Sequence, residues 1–367
     1  MMRVGLIIFG SLDTLTGGYF YDRRLLEYLG SRGDQTRVVS LPLRTYPRHL
    51  ADNFSPSLAR RLARERFDIL VQDELNHPSL VMLNRWLKAR ADYPIVALVH
   101  LLRSSERRAS LLRHAYAVVE RRYMGTVDAA VFNCHTTRQA AEGLLGRSLP
   151  GVVAYPGCDH MGVQLTEAEV VTRARAAGPL RVISIANVIP GKGLHDLVTA
   201  LARLPAGSWR LTVAGSLTTD RIYVEHLRCL IGRLGLDANV DLLGSVPNQR
   251  IAEHLARSHL LALPSSYEAL GIAYLEAMWF GLPVIATSAG GAHEVVDDGR
   301  EGFFVAPGDA EALSEYLRLL MTDRELLLQM GLAARRRAAR HPSWDESFQC
   351  ARELLSSLVA SHQRRQR

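Results

Sequence analysis

Short apolar runs alternate along the chain with longer segments in which apolar residues return every three or four positions. Residues 4–9 (VGLIIF) are apolar, partly β-branched and too short for a helix, so they predict a buried parallel strand ending at Gly10-Ser11. A polar loop then closes on Thr16-Gly17-Gly18. The segment 19–29 predicts a helix with Phe20, Leu25, Leu26 and Leu29 inward, terminated by Gly30 and Gly33. Further strands are predicted at 37–41, 69–72, 95–98, 129–132 and 152–154, between helices over 56–66, 79–89, 108–123 and 136–144. The pattern loosens between Gly157 and Pro179, around a short helix at 167–175. A second series opens with a strand at 182–186 and continues with strands at 210–214, 240–243, 260–264 and 283–286. Helices over 194–203, 223–234, 249–256, 271–280 and 310–321 alternate with them. The tail reads as helices over 326–340 and 344–361, separated at Pro342.

Strands alternating with helices imply parallel sheets covered on both faces. The fold class is therefore α/β: two Rossmann-like doubly wound domains, an N-terminal one over 1–165 and a C-terminal one over 166–342, then a helix within 343–367. Such sheets bind ligands at the carboxyl ends of their strands. Function is accordingly expected in an interdomain cleft.

Composition narrows the class. The chain has 367 residues, 48% hydrophobic and 22% charged, ordinary for globular domains. Its four cysteines are dispersed and form no C-x-x-C pair, which argues against a disulfide scaffold or zinc ribbon. No apolar run reaches the roughly 18 residues of a membrane span, and 4–9 is too short and poorly flanked for a signal peptide. The expected location is cytoplasmic. Residues 1–165 hold 22 basic and 15 acidic side chains while 166–367 hold 22 of each, so the whole +7 excess lies in the first part. That asymmetry favours an anionic partner, with peripheral contact at the inner membrane face as one alternative and simple solubility as another. Only Lys88 and Lys192 are lysines among 44 basic residues, so a lysine here calls for a reason.

The stretch Leu263-Pro-Ser-Ser-Tyr-Glu268-Ala-Leu-Gly271-Ile-Ala-Tyr-Leu-Glu276 ends a strand, turns and opens a helix. Taken alone, Glu268 also reads as a helix cap and Glu276 as a solvated charge. Together, the two carboxylates can meet separate hydroxyl groups of one extended ligand. The amides of Ala269, Leu270 and Gly271, at the helix N-terminus between them, suit a phosphate. Upstream, Ile183-Ser-Ile-Ala-Asn187-Val-Ile-Pro-Gly-Lys192-Gly193 likewise joins a strand to a helix and brings a cation to the right place for a diphosphate.

These motifs resemble glycosyltransferase family 4, retaining enzymes of the GT-B fold. Glu268 and Glu276 match its E-x7-E pattern, and the resemblance continues through Phe280–Ala286, Gly290-Gly291, Glu294, Asp298-Gly299, Gly302 and Pro307–Asp309. It implies that Glu268 contacts the donor sugar, Glu276 the ribose and Lys192 the departing diphosphate. Asn187 stands where the family carries an arginine; it donates hydrogen bonds without charge. The glycine pair Gly17 and Gly18 resembles a loop facing the donor phosphates, and His100, ending 95–100 (IVALVH), matches a histidine beside the sugar. Ser216 and Val246 lie at strand ends where the family holds nucleotide and base, and its last helix crosses back to the first domain.

The implied activity is transfer of a hexose from a nucleoside-diphosphate sugar to an acceptor hydroxyl, with retention. No nucleophile suits double displacement, so front-face attack is expected, assisted by the departing phosphate. No D-x-D, H-E-x-x-H or clustered His/Cys set occurs in the sequence, so no metal and no cofactor are expected. The acceptor is open; a lipid-linked or phosphorylated one suits the arginines at 60, 61, 64 and 66 and at 103, 107 and 108. A catalytically silent nucleotide-sugar binder is the alternative. A dehydrogenase lacks its G-x-G-x-x-G after the first strand, and no nucleic-acid module is present.

Overall fold

A computed structural model describes residues 1–366 and resolves two compact units. One comprises residues 1–156 and the helix beginning at Trp344; the other is Gly157–Ser343. The junction precedes the expected 165 because the next residues are tied to the second unit. His160 Nε2 lies 3.1 Å from Glu276 Oε1, and Trp279 Nε1–H donates to Gly162 O at 2.9 Å.

In the first unit, β1 (Arg3–Phe9), β2 (Gln35–Leu41), β3 (Ile69–Asp73), β4 (Ile95–Val99), β5 (Ala129–Phe132) and β6 (Gly151–Val153) form one parallel sheet. Their spatial order is β2-β1-β3-β4-β5-β6. Successive side chains of a strand point to opposite faces, and β1 is buried on both. Leu6 and Ile8 join Tyr21, Leu25 and Leu29 on one side, while Ile7 and Phe9 join Leu62, Leu83 and Tyr123 on the other. Helix Trp344–Gln366 completes the first of these cores with Trp344, Phe348, Ala351 and Leu355, spaced three and four apart as one helical face requires.

In the second unit, β7 (Leu180–Ile185), β8 (Trp209–Ala214), β9 (Val240–Gly244), β10 (Leu260–Leu263), β11 (Val284–Thr287) and β12 (Gly302–Val305) form the other parallel sheet. Its order is β12-β11-β10-β7-β8-β9. The strand order therefore reverses between β7 and β10 here, and between β1 and β3 in the first unit. Crevices at such switch points, beyond the carboxyl ends of the strands, are where open α/β sheets hold ligands.

Two elements escape the hydrophobic pattern. Helix Tyr46–Asp52 is polar with a proline in its first turn, and buries only His49. Strand β12 is a four-residue edge strand that begins with Gly302, where a Cβ would come within 1.9 Å of Val284 O. Neither offers enough periodic residues to be read.

Candidate functional site

The switch point of the second unit is occupied by the two loops that the sequence singles out. After β7 the chain forms a short turn at Pro190–Lys192, and Gly193 follows with φ 65°. A Cβ on Gly193 would sit 2.1 Å from Pro264 O, so only glycine lets this loop touch the one leaving β10. Ser266 locks the two together: its N–H donates to Gly191 O at 2.8 Å and its hydroxyl to the same oxygen at 3.2 Å.

That contact brings Lys192 to Glu268. Lys192 Nζ donates to Glu268 Oε1 at 2.5 Å, and Ser265 Oγ–H donates to the same oxygen at 2.6 Å. The pair is largely shielded, the carboxylate 11% and the lysine side chain 27% exposed, which strengthens its attraction relative to open solvent. The Glu268 backbone is also gripped. Its N–H donates to Ala289 O at 3.0 Å, and Gly291 N–H donates to its carbonyl at 2.9 Å. Gly290, at φ 106°, passes so close that a Cβ would meet Glu268 O at 1.8 Å.

Helix Ile272–Trp279 starts immediately beyond. Gly271 is its cap at φ 88°, packed on the Tyr274 ring where no Cβ fits. Tyr274 O–H donates to Leu263 O at 3.0 Å, pinning the helix start to the end of β10. Ala269 and Leu270 lie in the turn before the cap rather than in the first helical turn, and Leu270 is buried. Glu276, inside the helix, meets His160 at 3.1 Å, with both side chains largely buried. His160 is missing from the sequence-derived set. It lies in the stretch between Gly157 and Pro179 where the hydrophobic pattern loosens, and no motif there marks it.

Asn187 faces Ser216. Its Oδ1 accepts from Ser216 N–H at 3.0 Å, while Val188 N–H donates to Ser216 O at 3.0 Å. An arginine has no acceptor atom to take that first bond. Gly215 between the two strand ends would place a Cβ 1.9 Å from Ala186 O. Val246 is half-buried in the loop after β9.

In the first unit, Gly17 and Gly18 are not loop residues. Thr16 Oγ1 accepts from Tyr19 N–H at 3.2 Å and caps helix Gly17–Ser31, whose first turn contains both glycines. Gly18 lies against His100: a Cβ there would come 3.3 Å from the ring's Cδ2. His100 stands just past β4, with Nε2 2.8 Å from Asp22 Oδ1 and its ring edge-on to Tyr21 at 5.0 Å. Burial disfavours its charge, but Asp22, Asp73 and Glu74 outweigh that and raise its pKa.

The absence of a clustered ligand set in the sequence does not extend to three dimensions. Glu74, His77 and Glu120 are fully buried with ligand atoms within 4.8 Å of one another, drawn from two segments, the turn and helix start after β3 and the helix that carries Glu120. Both His77 nitrogens already have partners, Glu74 O at 2.9 Å and the Tyr46 hydroxyl at 2.9 Å. Burial pushes Glu74 up to about 8 and His77 down to about 4.

Comparison with known proteins decides the family. Residues 167–337 match the model "Glycosyl transferases group 1", and residues 14–157 match "Glycosyl transferase 4-like domain". The chain belongs to the glycosyltransferases of family 4 type. Among this glycosyltransferase's relatives is a GDP-mannose-dependent alpha-(1-6)-phosphatidylinositol monomannoside mannosyltransferase of Mycobacterium tuberculosis, 29% identical over 64% of this chain and 63% of that protein. Another is a D-inositol 3-phosphate glycosyltransferase of Streptomyces avermitilis, 34% identical over 59% of this chain and 48% of that one. The alignments thus span less than two thirds of these relatives' length. The fold is GT-B. A sucrose-phosphate synthase from Thermosynechococcus elongatus superposes with a TM-score of 0.82 at 18% identity, covering 98% of this chain and 100% of that one. Anabaena Alr3699/HepE in complex with UDP and glucose gives 0.76 at 20% identity, covering 97% and 100%.

Proposed function

We propose that this glycosyltransferase moves a hexose from a nucleoside-diphosphate sugar to an acceptor hydroxyl, with retention of configuration and without a metal. The observation that carries the reading is the Lys192–Glu268 pair at the β7/β10 switch point, beside the start of helix Ile272–Trp279. A cation and outward-pointing helix amides are the groups a departing diphosphate needs. Glu268 binds the sugar hydroxyls, and Lys192 exchanges its carboxylate partner for phosphate oxygen when donor enters. Glu276 takes the ribose. Asn187 holds the Ser216 loop around the nucleotide, with Val246 flanking the base. In the first unit, Gly17, Gly18 and His100 take the phosphate and sugar roles that the family resemblance implies for them.

Retention follows from front-face attack: the acceptor oxygen forms the new bond on the face the phosphate leaves, and its proton passes to the departing phosphate oxygen. Both glutamates are committed to binding, so neither is a nucleophile. For the acceptor, the named relatives act on a phosphatidylinositol mannoside and on an inositol phosphate. A phosphate-bearing or lipid-linked acceptor agrees with the basic first domain, where the strongly exposed Leu43, beside Arg44, Leu111, two residues before Arg113, and Phe54 offer contact with an anionic membrane.

Lys192→Ala and Glu268→Ala are each expected to lower sugar transfer at least about a hundredfold, the scale of losing one preorganised charge stabiliser, with unchanged circular dichroism. Turnover is measured with a panel of UDP- and GDP-sugars, with and without a chelator. A variant retaining near-normal turnover removes that residue from the mechanism. Activity abolished by the chelator and restored by magnesium overturns the metal-free reading.

A further inference from the structure

Asp22 is absent from every motif that carries the family resemblance, yet it is the most intimate partner of His100. It lies in the second turn of helix Gly17–Ser31 with no exposed surface, and its Oδ1 stands 2.8 Å from His100 Nε2. The imidazole is fixed on its other sides too. Tyr21 meets it edge-on at 5.0 Å, Gly18 leaves room at Cδ2 that any Cβ would crowd, and Asn133 Nδ2 donates to its carbonyl at 2.9 Å. Nδ1 is the remaining polar atom of the ring. It has no hydrogen-bond partner among the described residues and is not among the fully enclosed unpaired atoms.

We propose that Asp22 is a positioning residue that holds His100 through Nε2 and so leaves Nδ1 as the ring's one binding nitrogen, free for a hydroxyl or phosphate oxygen of a ligand. This deepens, and rests on, the assignment of His100 to donor chemistry. A carboxylate only accepts hydrogen bonds, so Nε2 must carry a proton. Nδ1 then accepts in the neutral ring and donates in the imidazolium. The charged groups around the ring all favour the second state: Asp22 from the helix, and Asp73 and Glu74 at the end of β3. Tyr19 is nearby in the same helix but commits its hydroxyl to Phe9 O at 2.7 Å. A protonated Nδ1 suits hydroxyl or phosphate oxygens and not a group that must itself donate. Asp22 is thereby distinct from a core residue that merely fills space, because its effect is read out on a nitrogen it does not touch.

Nitrogen-15 NMR of the histidine rings tests this in the intact protein, with His100→Gln assigning the signal. In the wild type the neutral ring is expected to keep its proton on Nε2, with a titration midpoint above the ordinary value of about 6.5. Asp22→Asn keeps an acceptor but removes the charge, and should lower the midpoint by at least about one pH unit, a tenfold change in proton affinity, without changing the tautomer. Asp22→Ala should lower it and also populate both tautomers. A wild-type neutral ring protonated on Nδ1, or an Asp22→Asn midpoint equal to wild type, overturns the proposal. The wild-type tautomer needs no variant, so the test survives if a substitution fails to fold. Turnover of UDP- and GDP-sugars separates the two layers. If the ring signals behave as expected while His100→Gln and Asp22→Asn turn over donor normally, the Asp22 assignment stands and the role of His100 in donor chemistry falls. If Asp22→Asn lowers kcat about tenfold or more and moves the pH profile with the NMR midpoint, both hold.

Discussion

His160 shows what a single side chain adds at this site. A carboxylate inside a short helix, like Glu276, has rotameric freedom that must be lost for the ribose grip proposed above. The contact to His160 Nε2 at 3.1 Å, in surroundings that leave both side chains largely buried, removes that freedom beforehand. In the proposed role a ribose is held alike before and during transfer, so this preorganisation acts mainly on binding. His160→Ala is therefore expected to raise the donor KM roughly tenfold, about 1.4 kcal/mol, while kcat changes little; steady-state kinetics measures the split. His160→Gln, which keeps a polar group near the same place, should recover part of the loss. A fall in kcat with KM untouched places His160 elsewhere in the mechanism. Asn187 teaches a related lesson: its departure from the family's arginine reads from sequence as a missing charge, but its oxygen is engaged by the Ser216 amide.

At the scale of elements, the loops around Lys192 and Glu268 cross because Gly193 and Gly290 carry no side chain. Gly193 combines φ 65° with a Cβ position 2.1 Å from Pro264 O, so both handedness and contact forbid a side chain. Gly193→Ala should destabilise the second unit by at least ~1–2 kcal/mol from handedness alone, and should displace Lys192 from Glu268. Thermal unfolding and donor titration together check this; an alanine variant of full stability and full donor affinity contradicts the close approach. These features also mark what is legible in the sequence. Strands such as 4–9 and 182–186 are continuous apolar runs because both faces are buried, and the Lys192 and Glu268 loops stand out by residue type against an arginine-rich background. The pairing of Lys192 with Glu268 was not legible, because 76 residues separate them and only strand order makes them neighbours. Asp22, His160 and the Glu74–His77–Glu120 cluster escaped for the same reason: each is ordinary in its own segment and acquires meaning from another. Gly17 and Gly18 misled because a Thr16 cap turns a glycine-rich loop into a helix start.

Over the whole molecule, the two units answer pH differently. Stability rises with pH where the unfolded chain binds more protons than the folded one, and falls where it binds fewer. Burial lowers His77 to about 4, so this group adds stability as pH climbs from about 4 to its unfolded value near 6.5, and nothing beyond. Burial raises Glu74 to about 8; its contribution is fully present below its unfolded value near 4.5 and is lost as pH rises through 8. Asp73 is raised by its burial, and His100 is raised by its acidic neighbours against the effect of burial, so both lose in the same direction. Between roughly 4.5 and 6.5 the gain at His77 offsets only part of the loss at Glu74 and Asp73. Above 6.5 only the losing groups remain. In the second unit the largest histidine shift is that of His259, lowered by burial to about 3, and its gain is complete by 6.5. From pH 6.5 to 8 the first unit should therefore weaken while the second holds steady. Hydrogen exchange followed by mass spectrometry resolves the two in one experiment: opening of β1 and β3–β5 becomes easier over that interval, and that of β7, β8 and β10 does not. Neither Glu74 carboxylate oxygen makes a hydrogen bond, although His77 Nδ1 lies 3.0 Å from Oε1; Glu74→Gln removes a carboxyl that loses its proton as pH rises and should flatten the first unit's dependence. Each kcal/mol recovered at pH 8 is worth about 2–4 °C in Tm for a domain of this size. Equal weakening of both units, or an unchanged slope in Glu74→Gln, would show that the buried carboxyls beside His100 do not hold their protons at neutral pH.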